Sequence, residues 1–174
     1  MTQVQEFLGA AAIGARVQAL AEEIRRDAGP GTPIHLIGVL KGAFVFLADL
    51  MRGIGGDVSC DFIAVSSYAG SKSTGQVQIL KDLDRPIEGR YVVVVEDIVD
   101  TGLTLAYLQD VLRTRAPQSL RTACLLSKPS RRKVEVPVEY IGFTIEDRFV
   151  VGYGLDFDEQ YRNLPFIGVV QGVS

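Results

Sequence analysis

The chain has 174 residues, 18 of them basic and 21 acidic, for a formal net charge of −3. Apolar residues make up 47% and charged residues 22%, the balance of a globule able to bury a core without staples. That excludes an attachment to nucleic acid by net charge alone, and the lone His35 argues against a histidine metal site or a Ser-His-Asp triad.

Read in chain order, the apolar pattern alternates between two periods. Ile13, Val17, Leu20 and Ile24 recur at helical spacing, and the run Asp27-Ala28-Gly29-Pro30-Gly31 ends that helix. A buried strand is predicted over 34–40, a helix over 43–51 and another strand over 58–66. The stretch from Gly70 to Gly75 is small, polar and bracketed by glycines, the composition of an exposed mobile loop, with a short return strand over 77–80. Four valines behind Tyr91 make 91–95 the strongest strand. A helix follows over 103–115, with Leu105, Leu108, Val111 and Leu112 on its buried face. Strands are predicted over 120–126, 140–143, 149–153 and 165–170. Cys60 and Cys124 fall in apolar strand-like runs, which suits a reducing compartment, and MTQVQEFLGA carries no secretory pattern. No apolar run reaches the roughly 18 residues of a membrane span, so a cytoplasmic protein without membrane contact is expected.

Alternating strands and helices predict an α/β fold: an open, mainly parallel twisted sheet with helices on both faces, in one domain over 1–174. Ligands of such sheets bind beyond the carboxyl ends of the strands, which directs attention to the residues after Leu40, Val95, Leu126 and Val151. After Val95 come Glu96, Asp97 and Asp100, three carboxylates within five residues, and no lysine or arginine occurs from Tyr91 through Leu112. Asp100-Thr101-Gly102-Leu103-Thr104 then opens a helix, where free N–H groups and hydroxyls form a phosphate cradle. Carboxylates beside such a cradle suit a polyhydroxylated or metal-bearing phosphate ester. The plainer reading makes Asp100 or Thr101 the N-cap of the helix, which accounts for one residue of three. A phospho-acceptor receiver domain would place acids after the first strand, where Lys41 stands. Walker and dinucleotide-binding glycine fingerprints are absent, since Gly152-Tyr153-Gly154 continues as Leu-Asp-Phe.

The run Glu96-Asp97-Ile98-Val99-Asp100-Thr101-Gly102 with its preceding valines resembles the phosphoribosyl pyrophosphate (PRPP) motif of type I phosphoribosyltransferases. Leu40-Lys41-Gly42 is similar to the family's pyrophosphate loop, and Ser67-Tyr68 to the pair in its flexible active-site loop. Lys128, the run from Phe149 to Asp156, and Tyr161-Arg162 resemble the purine end of the members that act on 6-oxopurines. The resemblance covers about Ile37 to Arg162 and implies the type I fold with a small hood region. The activity implied is purine salvage: transfer of the phosphoribosyl group from PRPP to hypoxanthine or guanine, with release of pyrophosphate.

On this resemblance Asp100 is the general base near purine N7, and Glu96 and Asp97 hold the ribose hydroxyls. Thr101, Gly102, Leu103 and Thr104 form the 5′-phosphate loop; some members carry lysine where this chain has Leu103, which leaves backbone N–H groups and hydroxyls to do the work. Lys41, Gly42 and Arg162 meet the pyrophosphate, Glu96, Asp97 and Asp156 serve Mg²⁺, Lys128 donates to the purine 6-oxo group, Phe149 stacks on the ring, and Val150 offers backbone groups to its edge. Ser67 and Tyr68 precede a loop, 71–75, that would close over the site, and the peptide between Leu40 and Lys41 is often cis in the family. Taken singly, Lys41 reads equally as a solvated charge, Asp156 and Arg162 as surface charges and Phe149 as core. Arg131-Arg132-Lys133 reads as a solvated basic turn. The family usually forms dimers or tetramers, so a homo-oligomer with small-molecule partners and no nucleic acid is implied. The competing reading is a regulatory protein of the same fold that binds RNA or a nucleotide effector.

Overall fold

The computed structural model describes residues 3–66 and 77–173. The expectations for Ser67, Tyr68 and the loop at 71–75 lie outside the described residues. Elements follow in the order β1 (Val4–Leu8), α1 (Ala10–Ala28), β2 (Ile34–Val39), α2 (Phe44–Ile54), β3 (Val58–Val65), β4 (Ile79–Lys81), β5 (Tyr91–Val99), α3 (Leu103–Arg113), β6 (Ser119–Ser127), β7 (Tyr140–Thr144), β8 (Val150–Val151) and β9 (Ile167–Val170).

A six-stranded sheet runs β4-β3-β2-β5-β6-β7, and every pairing in it is parallel except β3 with β4. All six residues of β2 are buried, as are the first six of β5, because helices cover both faces. On one face α1 and α2 bring Ile13, Leu20, Ile24, Phe46 and Leu50 against Leu36, Val93 and Val95. On the other α3 brings Leu105, Leu108 and Leu112 against Ile37, Val92 and Val94. Gly38 in β2 lets this packing come close, since a Cβ there would stand 2.6 Å from Leu47 Cδ1 and displace that side chain. The helix end predicted at Gly29 holds: Gly29 adopts φ 95° and its N–H returns to the carbonyl of Arg25.

Three local features depart from the sequence reading. In α3 it is Gln109 that is buried, while Val111 is only half-buried. Gln109 Nε2 donates to Thr122 Oγ1 and to the carbonyl of Pro137, both at 2.9 Å, so the amide enters the core with its donors satisfied. The strand predicted over 91–95 continues to Val99, so Glu96 and Asp97 lie within the sheet ladder. The strand predicted over 149–153 contracts to Val150–Val151, because Gly152 (φ 97°) and Tyr153 (φ 49°) turn the chain away. A second, antiparallel sheet, β1-β9-β8, forms the hood. Its first strand, Val4–Leu8, had no alternating apolar signal and exists through pairing with β9, more than 150 residues away.

Candidate active site

The carboxyl ends of the parallel strands converge on one edge of the sheet, and β5 supplies its acids there. Strand alternation sends Glu96 and Asp97 to opposite faces. Asp97 lies on the α2 side, where a Cβ added to Gly42 would overlap Asp97 Oδ2. Glu96 lies on the α3 side, lining a small cavity with Asp100, Gly102, Thr104 and Leu105. Burial, reinforced by the charges of Asp97 and Asp100, pushes the Glu96 carboxyl well above its ordinary range. Burial likewise pushes Asp97 up to about 6, opposed by the Ile98 N–H that donates to its Oδ1 at 2.7 Å and by the charge of Arg162. A phosphate ester with its hydroxyls and counter-cation would relieve this crowding of acids.

The small cavity on the α3 side stands where the sequence places a phosphate cradle. The N-cap of α3 is Gly102, in the left-handed region at φ 82°, rather than Asp100 or Thr101. A Cβ at Gly102 would stand 3.0 Å from Val136 Cγ1 and 3.3 Å from the carbonyl of Val134, so glycine is required on two counts. Thr101 takes a different local part: its Oγ1 accepts the N–H of Leu103 at 3.3 Å. The N–H groups of Gly102, Thr104 and Leu105 have no protein acceptor among the described residues. Three donors at the positive end of a helix, with the Thr104 hydroxyl, form an anion site.

On the α2 side a second cluster forms. The Leu40–Lys41 peptide is cis. Gly42 touches both Asp97 and the segment after β8, where a Cβ at Gly154 would overlap the carbonyl of Gly42. Arg162 Nη1 donates to the carbonyl of Gly154 at 2.8 Å, and its Nη2 lies 3.5 Å from Asp156 Oδ1 and 3.1 Å from Glu159 Oε1. Glu159 Oε2 accepts from Lys41 Nζ at 3.1 Å. These two cations hold the Glu159 carboxyl below its ordinary range. Lys41, Gly42, Asp97, Asp156 and Arg162 are therefore neighbours, although they come from three separate stretches of chain.

The third component is a cleft of about 610 Å³ beneath the hood, lined by Asp100, Lys128, Arg131, Asp147, Phe149 and Val169 among others. Its size suits one small ring system. Lys128 is buried to 9% exposure, and its Nζ reaches Asp147 Oδ1 at 3.5 Å while Arg131 pairs with the other carboxylate oxygen at 3.1 Å. Phe149 is half-buried and meets Phe157 edge-to-face, ring centroids 5.4 Å apart. Val150 is buried in the core cluster and pairs with Val169, and it is not among the residues that line the cleft.

Sequence reasoning missed three residues here. Asp147 and Glu159 engage the cations of the two anion-facing clusters, but each pairs across a fold that no local pattern reveals; the one local hint is Glu159 three residues before Arg162. Arg132, expected in a solvated turn, is half-buried and donates at 2.9 Å to the carbonyls of Val99 and Asp100 and to Ser127 Oγ. The set Glu96, Asp97 and Asp156 does not form a metal cage: among the described residues no group of three or more His, Cys, Asp or Glu side chains could hold a metal ion. No helix among them is long and apolar enough to cross a membrane.

With this geometry in view, a family model described as phosphoribosyl transferase domain matches residues 3–158. Hypoxanthine phosphoribosyltransferase of Escherichia coli strain K12 is 47% identical over 169 residues, covering 96% of this chain and 95% of that protein. Hypoxanthine-guanine phosphoribosyltransferase of Mycobacterium avium is 52% identical over 170 residues, covering 94% and 84%. A 1.95 Å crystal structure of a hypoxanthine-guanine phosphoribosyltransferase from Bacillus anthracis superposes with a TM-score of 0.91 at 47% identity, covering 100% of both chains.

Proposed function

The chain belongs to the phosphoribosyltransferase family, and on that premise we propose how its site performs purine salvage, transferring the phosphoribosyl group of PRPP to hypoxanthine and to guanine and releasing pyrophosphate. The observation that carries the reading is the position of Asp100. It lines the phosphate cradle on one side and the ring-sized cleft on the other, as a group between a ribose phosphate and an incoming base must. The regulatory alternative, an RNA- or effector-binding protein, has no support among relatives that are named as enzymes.

In the reaction the bond from the anomeric carbon to the pyrophosphate oxygen breaks, and a bond from that carbon to a purine nitrogen forms. The cradle of Gly102, Thr104 and Leu105 N–H groups, with Thr101 and Leu103 in the same turn, holds the 5′-phosphate. The β5 carboxylates accept the ribose hydroxyls and stabilise the positive charge that develops on the sugar. Lys41, Gly42 and Arg162 receive the pyrophosphate, with Glu159 yielding its two cations to the stronger anion. Phe149 stacks on the purine, Lys128 Nζ donates to its 6-oxo group, and the Asp100 carboxylate takes the proton at N7. Ser67 and Tyr68 are proposed to cover the site.

The donors fit Mg²⁺: they are carboxylate oxygens only, too few for an all-protein cage, the pattern of an ion that takes its remaining ligands from substrate phosphates. Asp97 and Asp156, both in the α2-side cluster, would hold it on the pyrophosphate side, Glu96 would serve from the α3 side across the strand, and when bound it would offset the charge gathering on the leaving group. Cys60 and Cys124 are both free thiols, which supports a cytoplasmic enzyme. We read residues 1–174 as one domain, in a homo-oligomer of two or four copies that engages small molecules and neither nucleic acid nor membrane.

The test is pyrophosphate release from PRPP with each of hypoxanthine, guanine, xanthine and adenine. Turnover with the 6-oxopurines and little with adenine is expected. Binding of PRPP without turnover of any purine would overturn the reading.

A further inference from the structure

We propose that Arg132 is the positioning residue of the reaction, holding Asp100 at the distance from the base cleft and the phosphate cradle that proton transfer requires. This rests on the reading of Asp100 as the general base. The case starts from β5, whose ladder to β6 ends with Val99 opposite Ser127. Beyond that pair the chain must still cross Asp100, Thr101 and Gly102 before α3 begins at Leu103. Those residues have left the sheet and Asp100 is exposed; its Oδ1 accepts the Thr101 N–H at 2.7 Å, which ties the carboxylate to its own backbone and leaves its place relative to the two cavities to whatever holds that backbone.

The segment after β6 supplies the missing constraint. Val99, Asp100 and Thr101 present three consecutive carbonyls to it, and each is satisfied. Val99 O accepts the Lys128 N–H at 2.9 Å, and Thr101 O accepts the Lys133 N–H at 2.9 Å. Between them, Arg132 Nη1 donates to both Val99 O and Asp100 O, and Nη2 donates to Ser127 Oγ. Asp100 O thus depends on a side chain where its neighbours depend on backbone. The same arginine packs on the cap, since a Cβ at Gly102 would stand 3.4 Å from Arg132 Cδ. A planar fork of donors spans carbonyls on one strand and a hydroxyl on the next; a lysine ammonium is a compact point charge on a flexible stem and cannot present two separated nitrogens.

The consequence is specific. Loss of the fork leaves the Asp100 carbonyl without its donor and lets the peptide that carries the carboxylate shift between its two backbone-held neighbours, without removing any group that touches PRPP. A misplacement of about 1 Å costs on the order of 10²-fold in the chemical step. Arg132→Lys is therefore expected to lower the single-turnover rate with hypoxanthine by about 30- to 100-fold, while the KM for PRPP stays within about three-fold.

The deciding measurement is a double-mutant cycle of single-turnover rates on Arg132→Lys, Asp100→Ala and the pair. If Arg132 acts through Asp100, Arg132→Lys costs no more than about two-fold once Asp100 is alanine. Equal losses in both backgrounds, or a wild-type rate in Arg132→Lys, would overturn the inference while leaving the base assignment in place. A wild-type rate in Asp100→Ala would instead sink the base assignment beneath it. Should Arg132→Lys fail to fold by circular dichroism, Ser127→Ala removes one acceptor of the same fork and decides on the same terms: a slowed chemical step with unchanged KM for PRPP supports the inference, and an unchanged rate overturns it.

Discussion

The base selectivity of this enzyme should reside in Lys128, and the structure sets the size of the effect. The Lys128 ammonium is withdrawn from water to 9% exposure and has a weak protein partner, Asp147 at 3.5 Å. It carries three donors and no acceptor, so it can pair with a 6-oxo group and can only oppose the 6-amino group of adenine. A charge-assisted hydrogen bond in such a setting contributes about 1.5–3 kcal/mol, which converts to roughly 10- to 150-fold in rate. Lys128→Ala should therefore lower kcat/KM for hypoxanthine and guanine by about 10- to 150-fold and leave the poor adenine rate within about three-fold of wild type. Asp147→Asn, which removes the exposed partner and keeps the ammonium, should cost hypoxanthine no more than about five-fold. Steady-state kinetics with the three purines on both variants reads all of this. The reasoning fails if Lys128→Ala retains hypoxanthine kcat/KM near wild type, or if adenine and hypoxanthine fall in parallel.

Three further outcomes are expected. Gly42→Ala would thrust a methyl group into Asp97 Oδ2 and displace a carboxylate of the ribose site, so kcat/KM for PRPP should fall by on the order of 10²-fold with the fold intact by circular dichroism; near-wild-type kinetics would show that Asp97 has no such role. Activity should vanish in EDTA and return with Mg²⁺ or Mn²⁺, and full turnover in the chelator would refute the metal assignment. Burial, aided by the charge of Arg90, holds the His35 imidazole below its ordinary pKa, so the unfolded chain binds more protons there and stability is lost as pH falls below about 6.5 through the folded value. Urea melts between pH 7 and pH 5 should show that loss, and His35→Gln should flatten it; parallel curves for the two proteins would exclude His35 as its source.

The parts of the molecule that the sequence announces are those built from local repetition. Four successive valines after Tyr91 make a strand in any context that buries both its faces, and Ile13, Val17, Leu20 and Ile24 make a stripe that must find a sheet. The acids after those valines locate the site because polar groups at the end of a buried strand have few other uses. What stays hidden depends on partners far along the chain. Val4–Leu8 has the burial pattern of an exposed segment and is a strand only because β9 offers it hydrogen bonds. Val111 fits the apolar stripe of α3 better than Gln109, yet Thr122 and Pro137 place acceptors where an amide can reach them. Arg132 is one of three consecutive basic residues, and nothing in the run distinguishes it from Arg131, which pairs with Asp147, or from exposed Lys133.

That contrast has an electrostatic origin. The acids of the site begin on one strand, where burial first and neighbouring acids second make Glu96 and Asp97 bind protons more tightly than isolated carboxyls do. Their own element offers no cation from Tyr91 through Leu112. The positive groups near the site arrive from elsewhere: Lys41 from the turn after β2, Lys128, Arg131 and Arg132 from the turn after β6, Arg148 from the segment before β8, and Arg162 from the loop after β8. The site is therefore a product of topology, since parallel crossovers bring these turns to one edge of the sheet. Two of the cations, Lys41 and Arg162, meet Glu159 across that edge, so on the proposed reading an arriving diphosphate would exchange one anion for another and leave the charges where they stand. On the proposed reading, acids fixed on the sheet and cations held by exchangeable partners on loops would let a substrate of high negative charge enter and its pyrophosphate leave.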